Sequence, residues 1–121
     1  PYDLLVSSTM IRAKQTADLI AECLPGIPRL ESNILNEGCP PATPVPTPRH
    51  FVEGKEFRDG ARLEAAFREY VHRVKSDEQE KDSFTIVVCH ENVIRYFVCR
   101  ALQLPPEGWL RFNMFHGSLT R

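Results

Sequence analysis

Apolar positions fall in short blocks along the chain, and their spacing changes from block to block. Tyr2–Ser7 is a brief apolar run bounded by Pro1 and Ser8, which predicts a strand. From Thr9 the period lengthens. Met10, Ala13, Ala17, Ile20 and Leu24 recur at helical spacing until Pro25-Gly26 ends the run, with Ser8 or Thr9 as the expected cap. Residues 25–48 carry seven of the ten prolines and predict one long loop, because PPATPVPTPRH suits neither a regular helix nor a central strand. Such a loop either covers a site or is a solvated connector, and its residues leave both readings open. A helix is predicted over 58–75, with Leu63, Phe67, Tyr70 and Val74 inward and Arg62, Glu69, Arg73 and Lys75 toward water. SDEQEKDS then reads as a polar turn. Residues 84–89 form a second strand, 92–103 a helix buried on more than one side and stopped by Pro105-Pro106, and Leu110–Phe115 a further strand turning at His116-Gly117-Ser118.

This order predicts an α/β fold, a mostly parallel sheet with helices on both faces, because near-continuous apolar strands joined by helices need cover on each side. The length of 121 residues suits one domain. With a formal net charge of -1, nothing argues for a general nucleic-acid or membrane surface. Cys23, Cys39, Cys89 and Cys99 make no C-x-x-C pair, so reduced thiols are expected rather than a zinc site. PYDLLVSS opens as though already inside a strand and SLTR closes as though entering one. The expectation is a partial domain spanning 1–121, with a first and a last strand missing.

In open α/β sheets, ligands bind beyond the carboxyl ends of the strands. Both clear strands end in polar residues there. SSTMIR places Arg12 in the first turn of its helix, and CHENVIR places His90 at the strand exit with Asn92 behind it. Unpaired helix N–H groups, a guanidinium fork and an imidazole suit a phosphate. Taken singly, His90 reads as a satisfied cap, Arg12 as a surface residue and Glu37 in ILNEGCPP as a solvated loop carboxylate. The joint placement of His90 and Arg12 at two strand exits makes them candidates; Glu37 is a third, as a proton donor to a leaving oxygen, which periodicity by itself does not promote. Cys89–Arg95 also spells C-x5-R, the spacing of cysteine-dependent phosphatases, although Glu91, Val93 and Ile94 are bulky for such a loop.

The motifs resemble one family. SSTMIRAKQTA is similar to the S-S-x-x-R-A-x-x-T segment of the histidine phosphatase (phosphoglycerate mutase-like) superfamily. ILNEG is similar to its acid-bearing segment, and VVCHENVIRYFVCRAL to that of its second catalytic histidine. DGARLEAAFREYVHR, NVIRYFVCRALQ and PPEGWLRF resemble the branch of mitochondrial serine/threonine phosphatases. The resemblance implies a phosphohistidine mechanism without metal or other cofactor, in which Arg12 grips the phosphoryl oxygens, Glu37 donates a proton and His90 stabilises the transferring group. Asn92 and His116-Gly117-Ser118 would border the substrate pocket. It implies phosphoserine and phosphothreonine proteins as substrates, homo-oligomers, and a mitochondrial membrane reached through an N-terminal segment outside this sequence. The family's nucleophile lies in an R-H-G segment, which is absent here; Arg49-His50 is followed by Phe51. Two further departures weaken the positive field. Glu91 follows the histidine, where a carboxylate would repel a phosphate unless it turns away or pairs with Arg95, and where it would also raise the His90 pKa. Asn36 stands where the branch often has arginine. A non-catalytic phosphate- or partner-binding module is the alternative.

Overall fold

The computed structural model describes residues 2–73 and 81–121. Three strands, β1 (Leu4–Ser8), β2 (Arg29–Ser32) and β3 (Thr85–Val88), form a wholly parallel sheet in the order β2-β1-β3. Leu5 pairs with both Arg29 and Ile86, so β1 is flanked on both sides. Alternation along β1 then sorts the core. Leu5 points to one face with Val88 and Ile86, where α1 (Ile11–Cys23) covers them with Ala13 and Ala17. These small residues, one helical turn apart, let the helix sit close to the sheet. Val6 points to the opposite face, against Leu35, Leu63, Ala66, Val93 and Tyr96 of the layer built by α2 (Lys55–Tyr70) and α3 (Glu91–Ala101). Leu63 and Val93 are completely buried, each worth roughly 1.5–3 kcal/mol of transfer free energy.

The expected α/β architecture with helices on both faces is therefore present, with local corrections. The segment 25–48 is not one loop. RLES pairs with β1 as edge strand β2 and leads into a 3-10 turn, Asn33–Leu35. A mostly polar four-residue strand shows no apolar run in sequence, because its side chains are largely exposed and only its backbone is needed. The proline-rich part is no solvated connector either. Pro40 and Pro44 are fully buried, and Cys39 and Ala42 pack with Cys99 and Trp109. Trp109 donates its indole N–H to the Ala42 carbonyl at 2.9 Å.

Leu110–Phe115 is not a strand. Pro106–Arg111 coils as a 3-10 helix that buries Trp109, and the Phe112 carbonyl is taken by Arg95 rather than by a neighbouring strand. Helix α2 starts earlier and stops sooner than expected. Gly54 in the left-handed region precedes Lys55, and the helix ends at Tyr70. Val74, Lys75 and most of SDEQEKDS lie outside the described residues. Helix α1 is not capped by Ser8 or Thr9; Met10 occupies the cap without a side-chain cap bond. Among the described residues no helix is long and apolar enough to cross a membrane.

The two helices of the α2/α3 layer are cross-tied by one carboxylate. Glu64 accepts hydrogen bonds from Tyr96 (2.5 Å), from Arg100 (2.9 and 3.1 Å) and from Arg68 (2.9 Å). Burial alone would raise its pKa, but these donors outweigh it and hold the carboxyl at about 2. Close approach of α2 to the proline-rich segment depends on Gly60. A Cβ there would lie 2.5 Å from Pro41 Cβ and 2.7 Å from Pro41 Cα. Gly60→Ala should therefore destabilise the fold by roughly 1–3 kcal/mol, the overpacking outweighing the helix-propensity gain of about 1 kcal/mol. Urea denaturation measures the sign; an unchanged or higher midpoint would refute the close packing.

Candidate active site

Parallel pairing sends all three strands out of the sheet at the same edge. Strand β1 delivers Ser8 and then Arg12 in the first turn of α1. Strand β2 delivers, through its 3-10 turn, Asn36 and Glu37. Strand β3 delivers Cys89 and His90, the latter at the N-cap of α3. Arg12, Glu37 and His90 are thus brought to one place. The Arg12 guanidinium acts electrostatically on both of the others. It makes no hydrogen bond or salt bridge to another described residue, so its fork is open to a ligand. Neither α1 nor α3 has a side-chain cap bond, leaving first-turn N–H groups on both helices for an anion.

His90 is 5% exposed and meets the Ser8 hydroxyl through Nε2 at 2.8 Å. Desolvation, reinforced by the Arg12 and Arg62 charges, lowers its pKa to about 4. The expectation that Glu91 would raise it is therefore corrected. Glu91 is held by Arg95 at 2.6 Å, the pairing open to it in the sequence. Glu37 shifts the other way. Burial raises its pKa, although the Gly38 N–H (3.1 Å) and Arg12 both favour the carboxylate. A carboxyl that holds its proton longer than usual suits a proton donor.

Arg62 corrects the sequence reading most clearly. Instead of facing water, it reaches back from α2 and donates to the carbonyls of Ile34 (3.0 Å), Asn36 (2.6 Å) and Glu37 (3.1 Å). It clamps the segment that presents the acid. Asn36, read only as a lost charge, accepts from Ser8 Oγ (2.6 Å), Thr9 N–H (3.0 Å) and Thr9 Oγ1 (2.9 Å). The contacts of Arg62 had no signal in the sequence. Those of Ser8 and Asn36 had a weak one, since both flank residues already singled out.

Asn92 is engaged by Arg95 at 3.3 Å. His116, Gly117 and Ser118 form an exposed turn closed by Ser118 N–H to Phe115 O, with Gly117 at φ 70°. Among the described residues no hydrogen bond or ion pair links that turn to Arg12, Glu37 or His90. The cysteine reading does not fit the geometry. Glu91 to Arg95 lie within α3 instead of forming a phosphate loop, Arg95 is committed to Glu91, Asn92 and Phe112, and burial pushes the Cys89 thiol up to about 12. A shallow groove of about 530 Å³ lies elsewhere, lined by Phe57, Glu64, Tyr96 and Arg100, and includes none of the three candidates. Among the described residues no group of three or more His, Cys, Asp or Glu could hold a metal ion.

An unpaired arginine, a glutamate of raised pKa and a buried histidine at the carboxyl edge of a parallel α/β sheet are groups suited to an anion. The sequence pattern described as "Histidine phosphatase superfamily (branch 1)" matches residues 44–121. The chain belongs to the histidine phosphatase superfamily. It is 48% identical over 120 residues to "Serine/threonine-protein phosphatase PGAM5, mitochondrial" of Mus musculus, covering 98% of this chain and 41% of that protein. The Homo sapiens protein of the same name gives the same identity and coverage. The corresponding protein of Drosophila ananassae is 49% identical over 122 residues, covering 98% and 42%. The chain thus spans about two fifths of the length of these relatives. Among solved structures, the phosphoglycerate mutase of Plasmodium falciparum superposes with a TM-score of 0.65 at 33% identity, covering 91% of this chain and 54% of that one.

The opposed pKa shifts have opposite consequences for stability. The unfolded chain takes up a proton on histidine near pH 6.5, whereas folded His90 does so only near pH 4. Stability is lost as pH falls through that window, by on the order of 3 kcal/mol. Glu37 contributes stability at low pH that is lost as pH rises from 4.5 through its raised folded value. In urea titrations between pH 6.5 and 4, His90→Gln should flatten the fall and Glu37→Gln should steepen it. Parallel profiles for wild type and both variants would rule out the assignment.

Proposed function

We propose that this chain carries the Arg/Glu/second-His part of a protein serine/threonine phosphatase that works through a phosphohistidine. The supporting observation is the convergence of Arg12, Glu37 and His90 at one edge of the sheet, with the Arg12 fork unpaired. Arg12 would take two phosphoryl oxygens side by side. His90 would stabilise charge on the transferring group. Glu37 would give its proton to the serine or threonine oxygen as the phosphorus–oxygen bond breaks, then, as carboxylate, take one from the water that releases phosphate from the phosphohistidine. The attacking histidine would come from outside these 121 residues, since they contain no R-H-G segment. Asn92 and His116-Gly117-Ser118 enter as pocket residues on the resemblance alone.

Phosphoprotein substrates and a mitochondrial location are supported by the names of the relatives. Homo-oligomers and membrane attachment rest on family resemblance. A second reading, a phosphate- or partner-binding module without turnover, draws on the absence of R-H-G.

In the full-length protein, with phosphoserine and phosphothreonine peptides as substrates, His90→Ala should lower kcat roughly 100-fold or more. Arg12→Ala should reduce kcat/KM by a comparable factor, and Cys89→Ser should leave activity within about twofold of wild type. Activity lost with Cys89→Ser and retained with His90→Ala would overturn the histidine assignment. Absent turnover with phosphopeptide binding retained would establish the module.

A further inference from the structure

The Ser8 hydroxyl is completely buried and meets three polar atoms: Asn36 Oδ1 at 2.6 Å, His90 Nε2 at 2.8 Å and the Met10 backbone N–H at 3.2 Å. A hydroxyl has one proton to give and two lone pairs to accept with. The orientation of the Asn36 amide is fixed independently. The Thr9 backbone N–H, 3.0 Å away, can only donate, so the atom facing it is the carbonyl oxygen. That same oxygen faces Ser8 and carries no hydrogen, so Ser8 must donate to it. The single proton of Ser8 is thereby committed. Met10 N–H uses one lone pair, and the contact with His90 needs a donor from the imidazole side.

We propose that Ser8 and Asn36 are positioning residues that fix the proton of His90 on Nε2 and leave Nδ1 as the ring atom presented to the phosphoryl group. Nδ1 has no hydrogen-bond partner among the described residues. It is also absent from the buried polar atoms lacking a partner, so it keeps solvent contact. Arg12 from α1 and Arg62 from α2 are the charged groups whose fields act on the ring, and both favour an unprotonated Nδ1 in the empty site. Asn36 therefore has a task of its own: it orients a serine, and the serine orients the histidine. The phosphoryl part of the inference rests on the function proposed above; the tautomer does not.

Long-range 1H–15N correlation spectra of the full-length protein, labelled at histidine, test the tautomer directly at pH 7. The expected result is a protonated Nε2 and an unprotonated Nδ1 on His90; the reverse tautomer in wild type would overturn the proposal. Ser8→Ala should dissolve the fixed tautomer into a mixture and lower kcat about tenfold to a hundredfold. A Ser8→Ala protein that keeps His90 wholly Nε2-protonated would show that Ser8 does not set it. Should Ser8→Ala fail to fold, Asn36→Ala and Asn36→Asp carry the same test. Only the aspartate retains an acceptor oxygen, so it should restore the wild-type pattern that the alanine loses; identical spectra for the two would refute the relay. Adding inorganic phosphate separates the two readings. A fixed tautomer whose Nδ1 shift ignores phosphate upholds the Ser8–Asn36 relay but removes Nδ1 from the phosphoryl site, overturning that half of the proposal.

Discussion

The hydrogen bonds converging on the Ser8 hydroxyl hold the three strand exits together. Ser8 ends β1, Asn36 follows β2 and His90 follows β3, and each reaches the others through one buried oxygen. Ser8 and His90 have left water, so an unmet bond on either would cost about 1–3 kcal/mol. The arrangement is therefore close to all-or-none: a shift in the pairing register of β2 or β3 against β1 would leave a buried polar group without its partner. Parallel pairing brings the exits to one edge, and the Ser8 node fixes their separation to hydrogen-bonding distance.

Helix α2 serves both the core and the site from adjacent positions. Leu63 and Ala66 seal the sheet face, while Glu64 takes Tyr96 and Arg100 of α3 and fixes the angle between the helices. Arg62, one residue earlier, turns the other way and holds the carbonyls of 34, 36 and 37. A guanidinium has five donors in a planar fork; three carbonyls from one short segment take three of its bonds, and the Asp59 carboxylate lies 3.9 Å away. The acid-bearing segment is thus braced by a cation that also lowers the proton affinity of His90.

Two ionisable groups with ordinary values near 4.5 and 6.5 are pushed toward each other by their surroundings. Desolvation penalises the charged form of each, which means an added proton on Glu37 and a lost proton on His90. Arg12, which makes no hydrogen bond or ion pair to another described residue, is the cation whose field acts on both. On the function proposed above, a phosphoryl dianion would meet that cation first. Glu91, which would oppose the anion, has its charge matched by Arg95, and the same arginine anchors Phe112.

By itself the sequence determined the elements whose side chains must be buried. The apolar run of β1, the alanine stripe of α1, the run of β3 and the broad apolar surface of α3 all carry their period in the residues, and Arg12 and His90 stand next to their ends. Edge strand β2 carries no such mark, because an exposed strand needs only its backbone. The expected strand at 110–115 misled for the converse reason: Leu110 and Phe112 pack beside Trp109 at the end of a 3-10 turn, a use that local spacing does not distinguish. Only the tertiary structure decided what Arg62, Ser8 and Asn36 do. Hydrogen bonds between residues 25 to 82 positions apart have no periodicity to betray them; they exist only once the sheet has closed the distance.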